Sequence, residues 1–486
     1  MPASRWGDIV FAGDAGRSTL SRAVERDRLR RIAPGIYTGT ILEPLERVVR
    51  RNWWQILVHE FPGAVIGDRS ARTGSPGPDD RLTVIHSRRR PLVLPGLTIV
   101  PRRGPASLPG DTALPDGVWM SSTARGLLDN AAGRGERYLA PEELEHWVSD
   151  ILETHGEERL NQVRDEARDL AIGIERQGGF RRLNQVIAAA LATGTGEGIV
   201  TPVLRARATG EAYDRRRVEL FAAFVRELSN LAPEPLPALP ADAPRRAFLP
   251  FYEAYFSNYI EGTEFSPEEA ASIVFEHQIP AARPADAHDI LGTYRIVADD
   301  REMRRVAGGA GALVELLQAR HAVVMAGRPG ALPGRFKLRA NRAGSTAFVD
   351  PDLVEGTLRA GFDAAAPLSD PFTRAAYTMF LVAEVHPFAD GNGRLARIMM
   401  NSELVHGGEI RIIIPTVFRL NYLSALKGAT HNAAFQALVS VLRFAQRYTA
   451  RVDFTSRSAA ERDLSRTNAL RDPNEADAYG VRLTLP

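Results

Sequence analysis

Between positions 386 and 397 the chain gathers His386, Asp390, Gly391, Asn392, Gly393, Arg394 and Arg397. The imidazole is the side chain here suited to taking a proton near neutral pH. The aspartate offers a hard oxygen of the kind that holds Mg2+ together with substrate phosphates. Ala389-Asp390-Gly391-Asn392-Gly393 reads as a tight polar loop, whose backbone N–H groups can converge on an anion at the start of a helix. Glycine lets a phosphate come close to that backbone. Arg394 and Arg397, three apart, project from one side of the helix's first turn. These residues describe a Mg-nucleotide site with a general base beside it.

The elements around the loop follow from local pattern. Asp370-Pro371 is a helix start, and Phe372 to Val385 is an apolar, buried helix. His386 stands at its end and Pro387 stops it. A second helix is expected from near Arg394 to about Val405. Upstream, Phe248 to Ile260 alternates apolar and polar residues at helical spacing, which puts Ser257 and Glu261 on one face. Gly262 ends that helix, and Ser266-Pro-Glu-Glu269 starts another with a capping-box pattern. Phe336–Arg339 and Thr346–Val349 flank Gly344 as the two strands of a hairpin.

His386-Pro-Phe-Ala-Asp-Gly-Asn-Gly-Arg394 with Arg397 matches every fixed position of His-x-Phe-x-Asp/Glu-Gly-Asn-Gly-Arg-x-x-Arg. In this the chain resembles the Fic family. The resemblance implies a protein adenylyltransferase that moves AMP from ATP, a co-substrate, to a Ser, Thr or Tyr hydroxyl of a protein, itself included. It implies His386 as the base and Asp390 as the Mg2+ ligand. Asn392 and the amides of Gly391 and Gly393 would stabilise the transferring phosphate, and Arg394 and Arg397 would hold the outer phosphates.

Ser257-Asn-Tyr-Ile-Glu261-Gly262 resembles the inhibitory motif of the same family, Ser/Thr-x-x-x-Glu-Gly/Asn. The implied mechanism is competition, with Glu261 pairing with Arg397 where a γ-phosphate would go. Thr346, Ala347, Phe348 and Val349 resemble the family's flap, whose strand would hold the target chain by strand addition. Tyr422, in Arg419-Leu-Asn-Tyr422, resembles the tyrosine that borders the nucleotide base, with Leu423 standing where a second aromatic is often found.

The remainder of the chain sets the frame. With 486 residues it is too long for one ordinary core. Apolar residues at 44% and charged residues at 25% are the profile of a soluble globular protein. The absence of cysteine excludes disulfides, thiolate zinc sites and cysteine nucleophiles. No apolar run reaches the length of a membrane span, so no membrane partner is expected and the cytoplasm is the simplest location. A net charge of +2 demands no nucleic acid. Basic residues are almost all arginine, with Lys337 and Lys427 the only lysines, so arginine counts say little and placement decides.

The expected class is mainly α: a helical Fic domain with a small β-hairpin flap, preceded by an α+β region resembling a truncated winged helix. The expected divisions are 1–40, winged-helix-like; 41–150, α+β; 151–212, a helical connector; 213–450, the Fic domain with its inhibitory helix near 248–262; and 451–486, a tail. The proline-rich stretch 231–244 reads as a linker. Leu20 to Tyr37 and Ser121 to Asp129 resemble AbiEi-type antitoxin regulators. That resemblance implies DNA contacts from Arg22, Arg26, Arg30 and Arg31. A DNA-binding regulator with a sensor-like Fic half is therefore one alternative, and a Fic enzyme using another nucleotide donor is a second. A dimer is compatible with either.

Overall fold

The computed structural model describes residues 6–240 and 243–486. The chain folds as two compact units, Met1–Gly210 and Glu211–Pro486.

The first unit opens with β1 (Val10–Phe11), α1 (Arg17–Glu25), β2 (Arg30–Ala33), β3 (Ile36–Thr38) and α2 (Leu45–Glu60). Pro34-Gly35 turns β2 back on β3, with Gly35 at φ +83°. The small sheet has the order β1-β3-β2. Next come β4 (Val65–Ile66), β5 (Arg81–Ile85), β6 (Leu92–Leu94), β7 (Leu97–Arg102), β8 (Thr112–Ala113) and β9 (Trp119–Met120). They form one mixed sheet in the order β6-β7-β5-β4-β9-β8. Its central strands are apolar, and α2 covers it through Val48, Ile56 and Leu57. The helices α3 (Thr123–Ala132), α4 (Pro141–Gly173), α5 (Gln177–Ala190) and α6 (Pro202–Ala208) share a separate core. α4 runs through the division expected at 150.

The second unit is helical. It contains α7 (Arg215–Ser229), α8 (Leu249–Ile260), α9 (Pro267–Glu276), α10 (Pro284–Val297), α11 (Asp300–Met303) and α12 (Ala310–Val324). The hairpin β10 (Arg342–Ala343) and β11 (Thr346–Ala347) follows. Then come α13 (Val354–Ala364), α14 (Pro371–Val385), α15 (Asn392–His406), α16 (Arg419–Asn432), α17 (Phe435–Arg451), α18 (Arg457–Arg466) and α19 (Pro473–Ala478). α14 is apolar nearly all round and forms the centre of the larger core with α7, α13, α15 and α17.

Two expectations change here. Of the stretch expected as a linker, residues 231–240 form a strap inside the second unit, where Leu236 accepts from Ile410 N–H and Ala238 N–H donates to Gly408, while 241–242 lie outside the described residues. Prolines exclude it from helix, but its carbonyls still pair with the chain beside it. Residues 451–486 also pack into this unit: Phe454, Ala460, Leu464 and Ala469 share a core with Tyr252 and Phe256 of α8.

Candidate functional site

Asp370 caps α14 by accepting from Thr373 N–H at 3.0 Å, and Pro371 fills the next position. The helix ends at His386, which takes the left-handed conformation at φ +50°. Pro387 cannot continue the helix, so the chain turns into the loop. His386 Nδ1 lies 3.3 Å from the Ala383 carbonyl. A carbonyl only accepts, so the proton sits on Nδ1 and Nε2 keeps a lone pair. Phe348 stacks on the imidazole with 3.7 Å between ring centres. Burial pushes the His386 pKa down to about 4, with the Lys337 charge adding to it, which keeps the ring neutral near pH 7.

The loop's carbonyls are tied outward. Pro387 accepts from Lys337 N–H at 2.9 Å, and Phe388 from Asn341 Nδ2 at 3.0 Å. Gly391, at φ +77°, leads into α15, where a Cβ would meet Met325. Asn392 Oδ1 accepts from Phe388 N–H, and its Nδ2 donates to the Phe388 carbonyl, both at 2.9 Å. Asn392, expected to help stabilise a transferring phosphate, here uses its buried amide to close its own loop. Asn392→Ala is expected to strand the Phe388 N–H and destabilise the second unit by about 1–3 kcal/mol. A urea midpoint equal to wild type would contradict the clamp.

Arg397 is buried and held by α8. Its Nε donates to Ser257 Oγ at 3.0 Å, and its Nη2 to the Ser257 carbonyl at 2.8 Å and Glu261 Oε1 at 2.7 Å. Burial opposes the charge on Arg397, but Glu261 and the Tyr422 phenol outweigh it and raise its pKa. A Cβ at Gly393 would overlap the Glu261 carboxylate, so that carboxylate lies directly over the start of α15. Helix starts carry unsatisfied N–H groups and attract anions. Glu261 thus sits where the loop and helix would take a phosphate oxygen. Gly262, at φ +89°, turns the chain away just beyond it.

Arg394, expected to hold outer phosphates, is engaged by protein partners. Its Nη1 lies 2.5 Å from Asp289 Oδ2 and also donates to Asn258 at 3.3 Å, while Nη2 faces Asp390 at 3.6 Å. One edge is therefore tied to α8 and α10, and only the other faces the loop. Asp390 is half exposed, with Oδ1 accepting from Gly391 N–H at 2.6 Å. No group of three or more His, Asp or Glu poised for a metal occurs among the described residues. A lone exposed carboxylate fits a Mg2+ ion that takes its remaining ligands from phosphates and water.

Residues 313–404, from α12 through most of α15, match the family model described as Fic/DOC family. The chain carries a Fic domain. Protein adenylyltransferase Fic of Drosophila persimilis is 42% identical over 57 residues, covering 12% of this chain and 11% of that one. Protein adenylyltransferase fic-1 of Caenorhabditis elegans is 40% identical over 57 residues, with the same shares. The alignment thus spans about a ninth of these relatives' length. Fic-1 (residues 134–508) from C. elegans aligns in structure at 18% identity and a TM-score of 0.36, covering 68% of this chain and 98% of that chain. A Fic domain containing signaling protein from Bacteroides thetaiotaomicron aligns at 17% identity and a TM-score of 0.38, covering 50% and 97%.

Within the Fic domain the hairpin differs from its expected register. Gly344-Ser345 forms a two-residue turn, with Gly344 at φ +59°, that pairs Ala343 with Thr346 and Arg342 with Ala347. Phe336–Arg339 is not a strand, because Lys337 is drawn through its N–H to the Pro387 carbonyl of the 387–391 loop. Only part of the expected flap is open. Val349 is core, Thr346 is buried with its hydroxyl against His431 at 2.8 Å, and the Ala347 carbonyl accepts from Arg217 Nη2 at 2.7 Å. Tyr422, expected beside a nucleotide base, is buried beneath Arg397 with its hydroxyl on Met379 Sδ at 3.4 Å.

In the first unit Arg22, Arg26 and Arg31 are exposed. Arg30 instead turns inward and donates to the carbonyls of Ile41 and Glu43. No described helix is long and apolar enough to cross a membrane. Sequence reading missed His321, Asn341, Lys337 and Asp289. All four act on the Fic loop or its arginine through contacts that no local spacing encodes.

Proposed function

We propose that this chain is a protein adenylyltransferase that transfers AMP from ATP to a protein hydroxyl and is held inactive by its own Glu261. The observation that carries the reading is the pairing of a neutral His386, Nε2 free, with an anion site at the start of α15 that Glu261 fills. The names of the adenylyltransferases that match this chain over 57 residues support it.

In the reaction a hydroxyl of the target attacks the α-phosphorus of ATP while His386 Nε2 takes its proton. The new P–O bond joins AMP to the target, the α–β bridging bond breaks, and pyrophosphate leaves. The loop amides and the start of α15 face the charge that develops. Mg2+, held by Asp390, would neutralise the departing phosphates. Arg397 would take the outermost phosphate once Glu261 moves away. The chain itself would be one target.

The test is mass spectrometry of the Glu261→Gly protein after incubation with ATP and Mg2+. The expected result is a Ser, Thr or Tyr bearing AMP. Protein that carries phosphate in place of AMP, or no modification at all, would overturn the reading. Asp390→Ala in the same background is expected to lose about 10–100-fold of its Mg2+-dependent labelling, as removal of a metal-site partner typically does. Labelling as Mg2+-responsive as in the parent would remove Asp390 from the metal site.

A further inference from the structure

His321 lies on α12, completely buried, with both ring nitrogens engaged. Its Nδ1 accepts from Gly334 N–H at 2.9 Å, which fixes the proton on Nε2. Nε2 then donates to the Asp390 carbonyl at 3.0 Å. The ring face stacks on Phe388 with 3.7 Å between centres, so it cannot swing. Burial holds its pKa down at about 4, so the bonding pattern is that of a neutral ring.

The carbonyl of one residue and the N–H of the next point in opposite directions across a planar peptide. Holding the Asp390 carbonyl toward His321 therefore aims the Gly391 N–H at the other side of the loop. There it donates to Asp390 Oδ1 at 2.6 Å. Gly391, at φ +77°, has little steric resistance to a flip of this peptide. His321 is the side chain bonded to that carbonyl.

We propose that His321 is a positioning residue: by fixing the 390–391 peptide it keeps the Gly391 N–H on Asp390 Oδ1 and so holds the Asp390 carboxylate in the pose that takes Mg2+. This rests on the adenylyltransferase reading for the identity of the nucleotide. The two bonds of His321 can be separated by substitution. His321→Gln keeps an amide near the Nε2 position and can still donate to Asp390. His321→Asn keeps an acceptor near Nδ1 for Gly334 and cannot reach Asp390. His321→Phe keeps the stack on Phe388 and neither bond. A merely structural role predicts similar damage from all three.

The experiment uses the full chain carrying Glu261→Gly. ATP affinity is measured by calorimetry with MgCl2 and with EDTA, and the Mg2+ concentration for half-maximal self-labelling is measured beside it. The parent is expected to bind ATP more tightly with Mg2+. His321→Phe and His321→Asn should lose most of that gain and need about 10–100-fold more Mg2+, the usual scale for the residues that orient a metal ligand. His321→Gln should recover most of it, and ATP affinity in EDTA should stay close to the parent's in all three. A full Mg2+ gain in folded His321→Phe, or Gln as damaging as Asn, would overturn the inference while the parent's labelling leaves the functional reading standing. A parent that gains nothing from Mg2+ would overturn both this inference and the metal role of Asp390.

Discussion

Replacing His386 is expected to lower AMP transfer by about 10²–10⁴-fold, the usual scale for loss of a general base. ATP binding should survive, because the imidazole touches Ala383 and Phe348 rather than the arginine or the start of α15. Alanine is a poor single test, since position 386 sits at φ +50° and a left-handed turn disfavours it. Asparagine adopts that conformation more readily and brings no basic ring nitrogen. His386→Asn should therefore fold with wild-type cooperativity, bind ATP and fail to transfer. Wild-type transfer rates in either folded variant would refute the assigned role. The same geometry sets an acid limit. A base must be neutral to act, and the His386 pKa is lowered to about 4, so activity should hold as pH falls from 7 to 5 and drop through about 4. A single-ionisation limb near 6.5 would show that the ring is more solvated than the structure places it.

Glu261→Gly is expected to raise self-labelling by about 10- to 100-fold, because a charge-assisted hydrogen bond is worth about 1.5–3 kcal/mol and each 1.4 kcal/mol is tenfold. The substitution removes the carboxylate from Arg397 and from above Gly393 at once. It should not unfold the chain. Glu261 follows the last residue of α8 at φ −85°, and its side chain is 31% exposed. Ser257 would remain on Arg397 Nε and keep the guanidinium in place. Glu261→Asp should fall between wild type and glycine, since the shorter side chain reaches less well. Arg397→Ala should not imitate activation, because it removes a phosphate ligand together with the inhibitor's partner. The measurement is label from α-³²P-ATP at equal protein concentration. Equal labelling of wild type and Glu261→Gly would end the autoinhibition reading and leave His386 untouched.

The elements that carry the site were readable one by one. α14 was expected from Asp370-Pro371 and an apolar run, and α9 from Ser266-Pro-Glu-Glu269; the structure has both, with Ser266 accepting from Glu269 N–H. These signals lie within a few residues of the feature they specify. The hairpin was displaced for the opposite reason. Its composition marks a turn at Gly344, but the strand before it is decided by where Lys337 N–H finds a carbonyl, and that carbonyl belongs to Pro387. The partners of Asn392 and Arg394 were likewise not legible in the sequence. A motif states which side chains are present at a loop; whether an amide faces outward or closes its own turn depends on the packing around it.

By itself the sequence determined the residue types at 386–397, the helices that flank them, and the shared face of Ser257 and Glu261. Each depends on helical periodicity, a cap, or a proline that ends a run, and these act over one or two turns. Only the tertiary structure decided that Glu261 reaches Arg397, 136 residues away, that His321 reaches Asp390, 69 residues away, and that Arg394 is shared with Asp289. Such pairs are selected when packed helices bring buried charges and carbonyls together, and each must then find a partner or bear the cost of losing water. That requirement has no period along the chain, so the spacing of residues cannot reveal which partner it will be.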